Sequence, residues 1–397
     1  MSADGGSERP IRVLIVDDSA LVRNILRRAL SAEPGIEVVE TAADPYQARD
    51  LLVRERPDVM TLDIEMPKMD GITFLKKVMA VLPTPTVIVS SLTSKGSALV
   101  LEALEAGAVD VVAKPSSDVA SALPAMMRDL VARVRSAARS KVFRRVETEV
   151  PASDEAAAAL GVTTDAVIGL GASTGGVAAL GRILPRFPAN SPGVVVVQHM
   201  PPGFTSGFAE RLDGLCAMRV SEAKDGDRIL RGHILVGPGG DRHLEVRRVG
   251  GEYRVALVAG PPVSGHTPSV DVFFRSLARS AGPNAAACLL TGMGRDGAEG
   301  LKALRTAGGR TFAQDEASSA VWGMPGAAVE LGAAEGVVDL ATVPMAVLRA
   351  MRDRGSPSGS RILAARPLAA DLTTGLGDAS RPAAKAQAEG GSKGETQ

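Results

Sequence analysis

Ser173 lies between two glycines, in Gly171-Ala-Ser173-Thr-Gly175, where the apolar run 167–170 ends and a helix-forming run begins. This Gly-x-Ser-x-Gly pattern predicts a tight strand-to-helix elbow that lifts a hydroxyl above the sheet edge. Small neighbours suit a strained backbone there and the close approach of a substrate carbonyl. A helix starting at that point also aims unpaired N–H groups at developing negative charge. Ser173 is the candidate nucleophile. A serine hydroxyl needs a neighbouring base, and neutral imidazole oriented by a carboxylate supplies one near pH 7. The four histidines are His199, His233, His243 and His266. His199 directly follows the apolar run 193–198, and Asp296 lies in the loop after the run 285–290. Met293, flanked by Gly292 and Gly294, is placed to offer its backbone N–H as an oxyanion donor.

These residues have rivals and second roles. His266 is the rival base, but it sits in Gly265-His-Thr-Pro with no strand before it. His233 and His243 fall within or beside the stretch 226–258 and read as surface residues. Asp296 also suits the N-cap of the helix that follows it.

A second set of chemistry-bearing residues occupies the first half of the chain. Asp17 and Asp18, Asp63, Ser90 and Lys114 stand at or just past the ends of four separate apolar runs. Three crowded carboxylates suit a hard divalent cation such as Mg²⁺, and a lysine with a hydroxyl suits phosphoryl oxygens.

The elements that must position both sets follow from hydrophobic periodicity. Near-continuous apolar runs at 11–16, 58–62, 86–90 and 109–113, with helical spacing between them, predict strands buried on both faces of a parallel sheet. The fold class is α/β: a doubly wound (βα)5 domain, then a second α/β domain with a parallel sheet. In such sheets ligands gather at the C-terminal strand ends. Residues 226–258, with a Gly250-Gly251 turn, predict an antiparallel hairpin insertion in the second domain. The expected boundaries are a disordered N-terminus 1–9, first domain 10–126, linker 127–164, second domain 165–353 and a disordered Ser/Pro/Ala/Gly/Lys-containing tail 354–397. The arginine-rich stretch near 128–145 reads as the last helix of the first domain running into a solvated linker.

Asp17-Asp18, Asp63-Ile-Glu-Met-Pro67 with Asp70-Gly71, Ser90 and Lys114-Pro115 resemble the receiver domain of bacterial response regulators. The resemblance implies that Asp63 accepts a phosphoryl group, that Asp17 and Asp18 help hold Mg²⁺ beside it, and that Ser90 and Lys114 read the phosphorylated state. Gly169-Leu-Gly-Ala-Ser-Thr-Gly-Gly176, Gln198-His-Met-Pro-Pro-Gly-Phe204, Pro268-Ser-Val-Asp271, Leu290-Thr-Gly-Met-Gly-Arg-Asp-Gly297 and Gly323-Met-Pro325 resemble the chemotaxis protein-glutamate methylesterase/glutaminase (CheB) family. That resemblance covers about residues 165–350 and includes the order receiver, then esterase. It implies that Ser173 attacks a glutamate γ-methyl ester, that His199 is the base, that Asp296 orients it and that Met293 N–H holds the oxyanion. It further implies a chemotaxis-type histidine kinase as phosphodonor, methylated chemoreceptors as substrate, deamidation of receptor glutamine, and no cofactor for the esterase step. Arg295 departs from the family pattern, where asparagine is usual; the triad itself does not.

Composition narrows the field. The chain has 397 residues, 45% hydrophobic and 23% charged, with formal net charge +0. A neutral balance implies no general attraction to nucleic acid, and no basic helix-turn-helix follows the receiver. Two cysteines, Cys216 and Cys288, make neither a disulfide framework nor a zinc cluster. No apolar run approaches the roughly 20 residues of a membrane span, so no membrane insertion is expected. A cytoplasmic location is expected. The fusion itself suggests that the receiver covers the active-site face until Asp63 is phosphorylated. The alternative is a non-enzymatic binding module under receiver control that sequesters a signalling partner.

Overall fold

The computed structural model describes residues 9–91, 94–114, 119–141 and 165–352. Most of the expected N-terminal segment, the linker from 142 onward and the 354–397 tail lie outside the described residues.

The first domain runs β1 (Ile11–Val16), α1 (Ala20–Ser31), β2 (Ile36–Ala42), α2 (Pro45–Glu55), β3 (Val59–Leu62), α3 (Gly71–Val81), β4 (Thr86–Ser91), α4 (Ser94–Glu105), β5 (Asp110–Lys114) and α5 (Val119–Ala138). Its five strands are all parallel, in the order β2-β1-β3-β4-β5. The chain therefore changes direction at β1, which opens a crevice between the ends of β1 and β3. Helix starts are capped in the way their residues dictate. Ser19 accepts from Val22 N–H, Asp44 from Tyr46 and Gln47 N–H, and Asp70 from Thr73 N–H.

The expected boundary at 126 falls inside α5. Leu130, Val134 and Ala137, at helical spacing, are fully buried in one cluster with Val13, Ile15 and Leu26. The first domain thus extends to Ala138, and Leu130, Val134 and Ala137, within the stretch assigned to the linker, belong to its core.

The second domain runs β6 (Val167–Ala172), α6 (Gly176–Ile183), β7 (Gly193–Gln198), α7 (Thr205–Asp213), β8 (Arg219–Glu222), β9 (His233–Val236), β10 (Arg242–Val249), β11 (Glu252–Ala259), α8 (Val270–Ser280), β12 (Ala285–Leu289), α9 (Ala298–Thr306), β13 (Arg310–Gln314), α10 (Met324–Glu330), β14 (Gly336–Val338) and α11 (Val343–Arg352). Seven strands form one parallel sheet in the order β14-β13-β12-β6-β7-β9-β8. The hairpin insertion is narrower than its sequence suggests. Among the strands, β10 and β11 pair antiparallel around Gly250 and Gly251, both at positive φ as a type I′ turn requires, and Arg228 adds an antiparallel bridge to Arg254 of β11. His233–Val236, expected in the insertion, instead pairs parallel with β7 and β8. The hairpin packs Leu244, Val246, Tyr253 and Val255 into the cluster that holds Phe273 and Phe274 of α8. Each phenylalanine buried there contributes about 1.5–3 kcal/mol.

Both domains lie within one compact unit. The ion pair of Glu105 on α4 with Arg211 on α7 joins them, as does Lys141 N–H donating to Ala320 O at 2.9 Å. Among the described residues no helix is long and apolar enough to cross a membrane.

Candidate active site

Ser173, His199 and Asp296 follow β6, β7 and β12, three adjacent strands at the point where the second sheet reverses direction. Backbone bonds lock the loops together. Ser173 N–H donates to Thr291 O at 2.9 Å, and His199 N–H donates to Ala172 O at 3.1 Å. Gln198, which opens the Gln198–Phe204 motif, donates its side-chain amide to both Ser173 O (2.9 Å) and His199 O (3.0 Å). The strained position of the elbow is Gly175, at φ +78, rather than Ser173. A Cβ at Gly175 would come within 2.6 Å of the Ala320 Cβ, so glycine answers both backbone and space.

His199 Nε2 donates to Asp296 Oδ2 at 2.9 Å, with both side chains buried. The carboxylate takes three more donors, all from the start of α8: Ser269 Oγ–H at 2.7 Å, Val270 N–H at 2.7 Å and Asp271 N–H at 3.1 Å. Burial alone would push the Asp296 carboxyl up, but the bonds from His199, Ser269 and Val270 outweigh it and hold it below its ordinary range. Asp296 does serve a helix N-terminus, but that of α8. The helix after it, α9, has Gly297 at its N-cap with no side-chain bond.

Because Nε2 is committed to Asp296, the nitrogen of His199 free to accept a proton is Nδ1, which is buried and has no hydrogen-bond partner among the described residues. Ser173 and His199 line the same small cavity. His266 stacks on the His199 ring, with centroids 3.7 Å apart and planes within 15°. Burial, with the neighbouring His199, pushes His266 down to about 4, which leaves it a weak base at neutral pH. Among the described residues nothing accepts the Met293 N–H, while Gly292 O beside it accepts from Gly323 and Met324. His243, expected at the surface, is only 4% exposed.

The first domain supplies a second candidate site. Oxygens of Asp17, Asp18 and Asp63 lie within 4.8 Å of one another. Lys114 Nζ bonds Asp17 Oδ2 at 2.8 Å and Asp63 Oδ2 at 2.6 Å. Burial raises the Asp63 carboxyl and Asp17 adds to it, which Lys114 offsets only in part; the Lys114 ammonium is itself raised, its burial being outweighed by Asp63 and Asp17. Ser90 is buried on β4, in register with Ala113 beside Lys114. Hard carboxylate oxygens converging this closely fit a divalent cation.

Residues of β5 and its approach close over the Ser173 elbow. Thr174 Oγ1 donates to Asp110 Oδ2 at 2.7 Å, and Gly175 N–H donates to Val109 O at 3.2 Å. Asp110 also pairs with Arg133 of α5, whose guanidinium faces the larger space beside His199 and His266. Between Ser173, His199, Val109 and Asp110 only about 10 Å³ remains, roughly one water's worth. Nothing in the Thr174 or Asp110 sequence context points to this contact.

The family described as CheB methylesterase matches residues 168–347, and the response regulator receiver domain matches 13–123. A protein-glutamate methylesterase/protein-glutamine glutaminase of Syntrophotalea carbinolica is 53% identical over 350 residues, covering 87% of this chain and 99% of the relative. The chain belongs to the CheB methylesterase family. A second such relative, from Pseudomonas aeruginosa, is 53% identical over 353 residues, covering 89% of this chain and all of its own length. The CheB methylesterase catalytic domain of Thermotoga maritima is 34% identical in a structural match covering 47% of this chain and 99% of that domain, at TM-score 0.46. Family membership favours the enzymatic reading over the binding-module alternative.

Proposed function

We propose that the chain is a phosphorylation-activated serine esterase that hydrolyses glutamate γ-methyl esters on chemoreceptors and deamidates receptor glutamine. The observation that carries this reading is the His199–Asp296 pair, buried one strand away from Ser173 with His199 Nδ1 left basic. Ser173 Oγ attacks the ester carbonyl while Nδ1 takes its proton. The oxyanion of the tetrahedral intermediate lies against Met293 N–H. The C–O bond to methoxide breaks, His199 returns the proton, and methanol leaves. Water, deprotonated by His199, attacks the acyl-enzyme; the glutamate carboxylate departs and Ser173 recovers its proton. With glutamine the leaving group is ammonia. Asp296 holds the imidazole and stabilises the imidazolium without itself taking a proton. Arg295, exposed on the same loop, is a rim residue for an acidic receptor surface.

In the receiver, Asp63 is the phosphoryl acceptor, with a histidine kinase of the chemotaxis type as donor. Asp17, Asp18 and Asp63 would hold Mg²⁺, which offsets phosphoryl charge when bound. Ser90 and Lys114 read the new group. The bonds of Thr174 and Gly175 to Asp110 and Val109, over the narrow space beside Ser173, support reading this arrangement as a closed state. Moving such an equilibrium from about 1:99 open to about 99:1 open takes about 5.5 kcal/mol. The test is methanol release from methyl-labelled chemoreceptor membranes, with and without a small phosphodonor and Mg²⁺. Release that rises with phosphodonor and vanishes in Ser173→Ala is the expected result. Release independent of Ser173 would overturn the reading.

A further inference from the structure

We propose that His243 is a positioning residue for the Ser173–His199–Asp296 set, through which the β10–β11 hairpin fixes the start of α8. This rests on the esterase reading and deepens it. His243 belongs to the two-stranded sheet, not to the parallel sheet that carries the triad. Its imidazole is nevertheless buried and makes two bonds. Nε2 donates to Pro261 O at 3.0 Å, and Nδ1 accepts Ser269 N–H at 3.1 Å. A carbonyl only accepts and an amide only donates, so these partners fix one neutral tautomer. Gly260 leaves room for the ring, since a Cβ there would meet His243 Cδ2 at 3.1 Å.

Ser269 is the link. It is fully buried, its Oγ–H bonds Asp296 Oδ1 at 2.7 Å, and its hydroxyl also caps α8 by accepting from Val272 N–H. The next two amides, Val270 and Asp271, complete the cradle of the same carboxylate. Asp296 is therefore aimed by the first turn of α8, and the amide that begins that turn is held by His243. The run is His243 to Ser269, Ser269 to Asp296, Asp296 to His199. It touches no substrate. Asp271 gives α8 a separate anchor by accepting from Gly300 N–H at 2.6 Å, so losing His243 loosens the turn without freeing it.

The test compares His243→Asn, His243→Gln and His243→Leu in the full-length chain, by methanol release from methylated receptor membranes at saturating phosphodonor. Asparagine places a carbonyl where Nδ1 stood and can still accept Ser269 N–H. Glutamine reaches toward Pro261 O but not Ser269, and leucine does neither. The expected result is kcat within about threefold of wild type for Asn, but about 10- to 100-fold lower for Gln and Leu, with KM changed less than twofold. Asn and Gln each give up one hydrogen bond, so their melting temperatures should fall alike. A merely structural role would lower kcat equally in all three or in none, and either outcome overturns the proposal. Should the His243 variants fail to fold, Gly260→Ala presses on the same ring from outside. It should lower kcat with KM unchanged, and wild-type kcat there would count against the proposal. Wild type and Ser173→Ala run alongside: release independent of Ser173 defeats the esterase reading itself, whereas Ser173-dependent release with indifferent His243 variants defeats this inference alone.

Discussion

Asp63 and Asp296 occupy equivalent places in two parallel sheets. Each follows the strand that neighbours its domain's first strand, β3 beside β1 and β12 beside β6. Both are buried, yet their carboxyls move in opposite directions, Asp63 up and Asp296 down. The difference lies in what surrounds them. Asp63 meets the Lys114 ammonium, the like charge of Asp17 and one long bond from Glu65 N–H at 3.4 Å. Asp296 meets four donors. One crevice is left electrostatically unfinished, in keeping with the phosphoryl-acceptor role proposed for Asp63. The other is completed in advance, in keeping with the orienting role proposed for Asp296. Topology chooses the location, and the count of donors chooses the chemistry.

That contrast can be broken in graded ways. Ser173→Ala should lower methanol release by at least about 10³-fold while leaving the melting temperature close to wild type. Asp296→Asn should cost about 10³–10⁴-fold in kcat, because an amide turns an N–H toward His199 or the α8 amides. Asp63→Asn should leave unstimulated release intact and remove the response to phosphodonor; a variant still stimulated would place the acceptor elsewhere. Asp110→Ala, which removes the acceptor of Thr174, should raise release without phosphodonor severalfold and shrink the stimulation.

The smallest effect is the sharpest test of the contrast, since it concerns sign. Asp296 has a folded-state pKa below the unfolded value of about 3.9, so its contribution to stability is present above that value and fades as pH falls through the lower one. Asp63 has a raised folded-state pKa, so its ionisation disfavours the fold once pH exceeds that value. Asp63→Asn should therefore raise the melting temperature at pH 7, by roughly 1–3 °C, and the gain should shrink as pH falls toward about 4. Asp296→Asn should lower it at pH 7. Calorimetric shifts of the same sign for the two would undo the comparison.

What could be read from the sequence divides along the same physical line. Strand ends are announced by apolar runs that stop at a polar residue, so Asp17, Asp63, Lys114, Ser173 and His199 could be placed one sheet edge at a time. The end of α5 was not legible at 126 because its arginines hide the buried stripe of Leu130, Val134 and Ala137. Arg219–Glu222 is an edge strand of four residues with a single buried position, too short to stand out by alternation. His243 carries no local pattern, since its partners lie 18 and 26 residues away, and the Gln198 bond to Ser173 O spans 25. The Thr174–Asp110 bond spans 64 residues and two domains, and only the fold brings it together.

One contact at that junction is made by backbone alone. Gly175 N–H to Val109 O, like Lys141 N–H to Ala320 O, joins main chain to main chain, so it does not depend on which side chain stands at Val109 as long as the backbone course is kept. Proline alone would delete the donor, and the positive φ of Gly175 already bars proline from that position. The seam between switch and enzyme can thus be retuned by substitution at Asp110, Thr174 or Arg133, while one stitch stays in place by geometry. A lineage of such proteins could drift widely in how firmly the seam is held and still keep the alignment in which it closes.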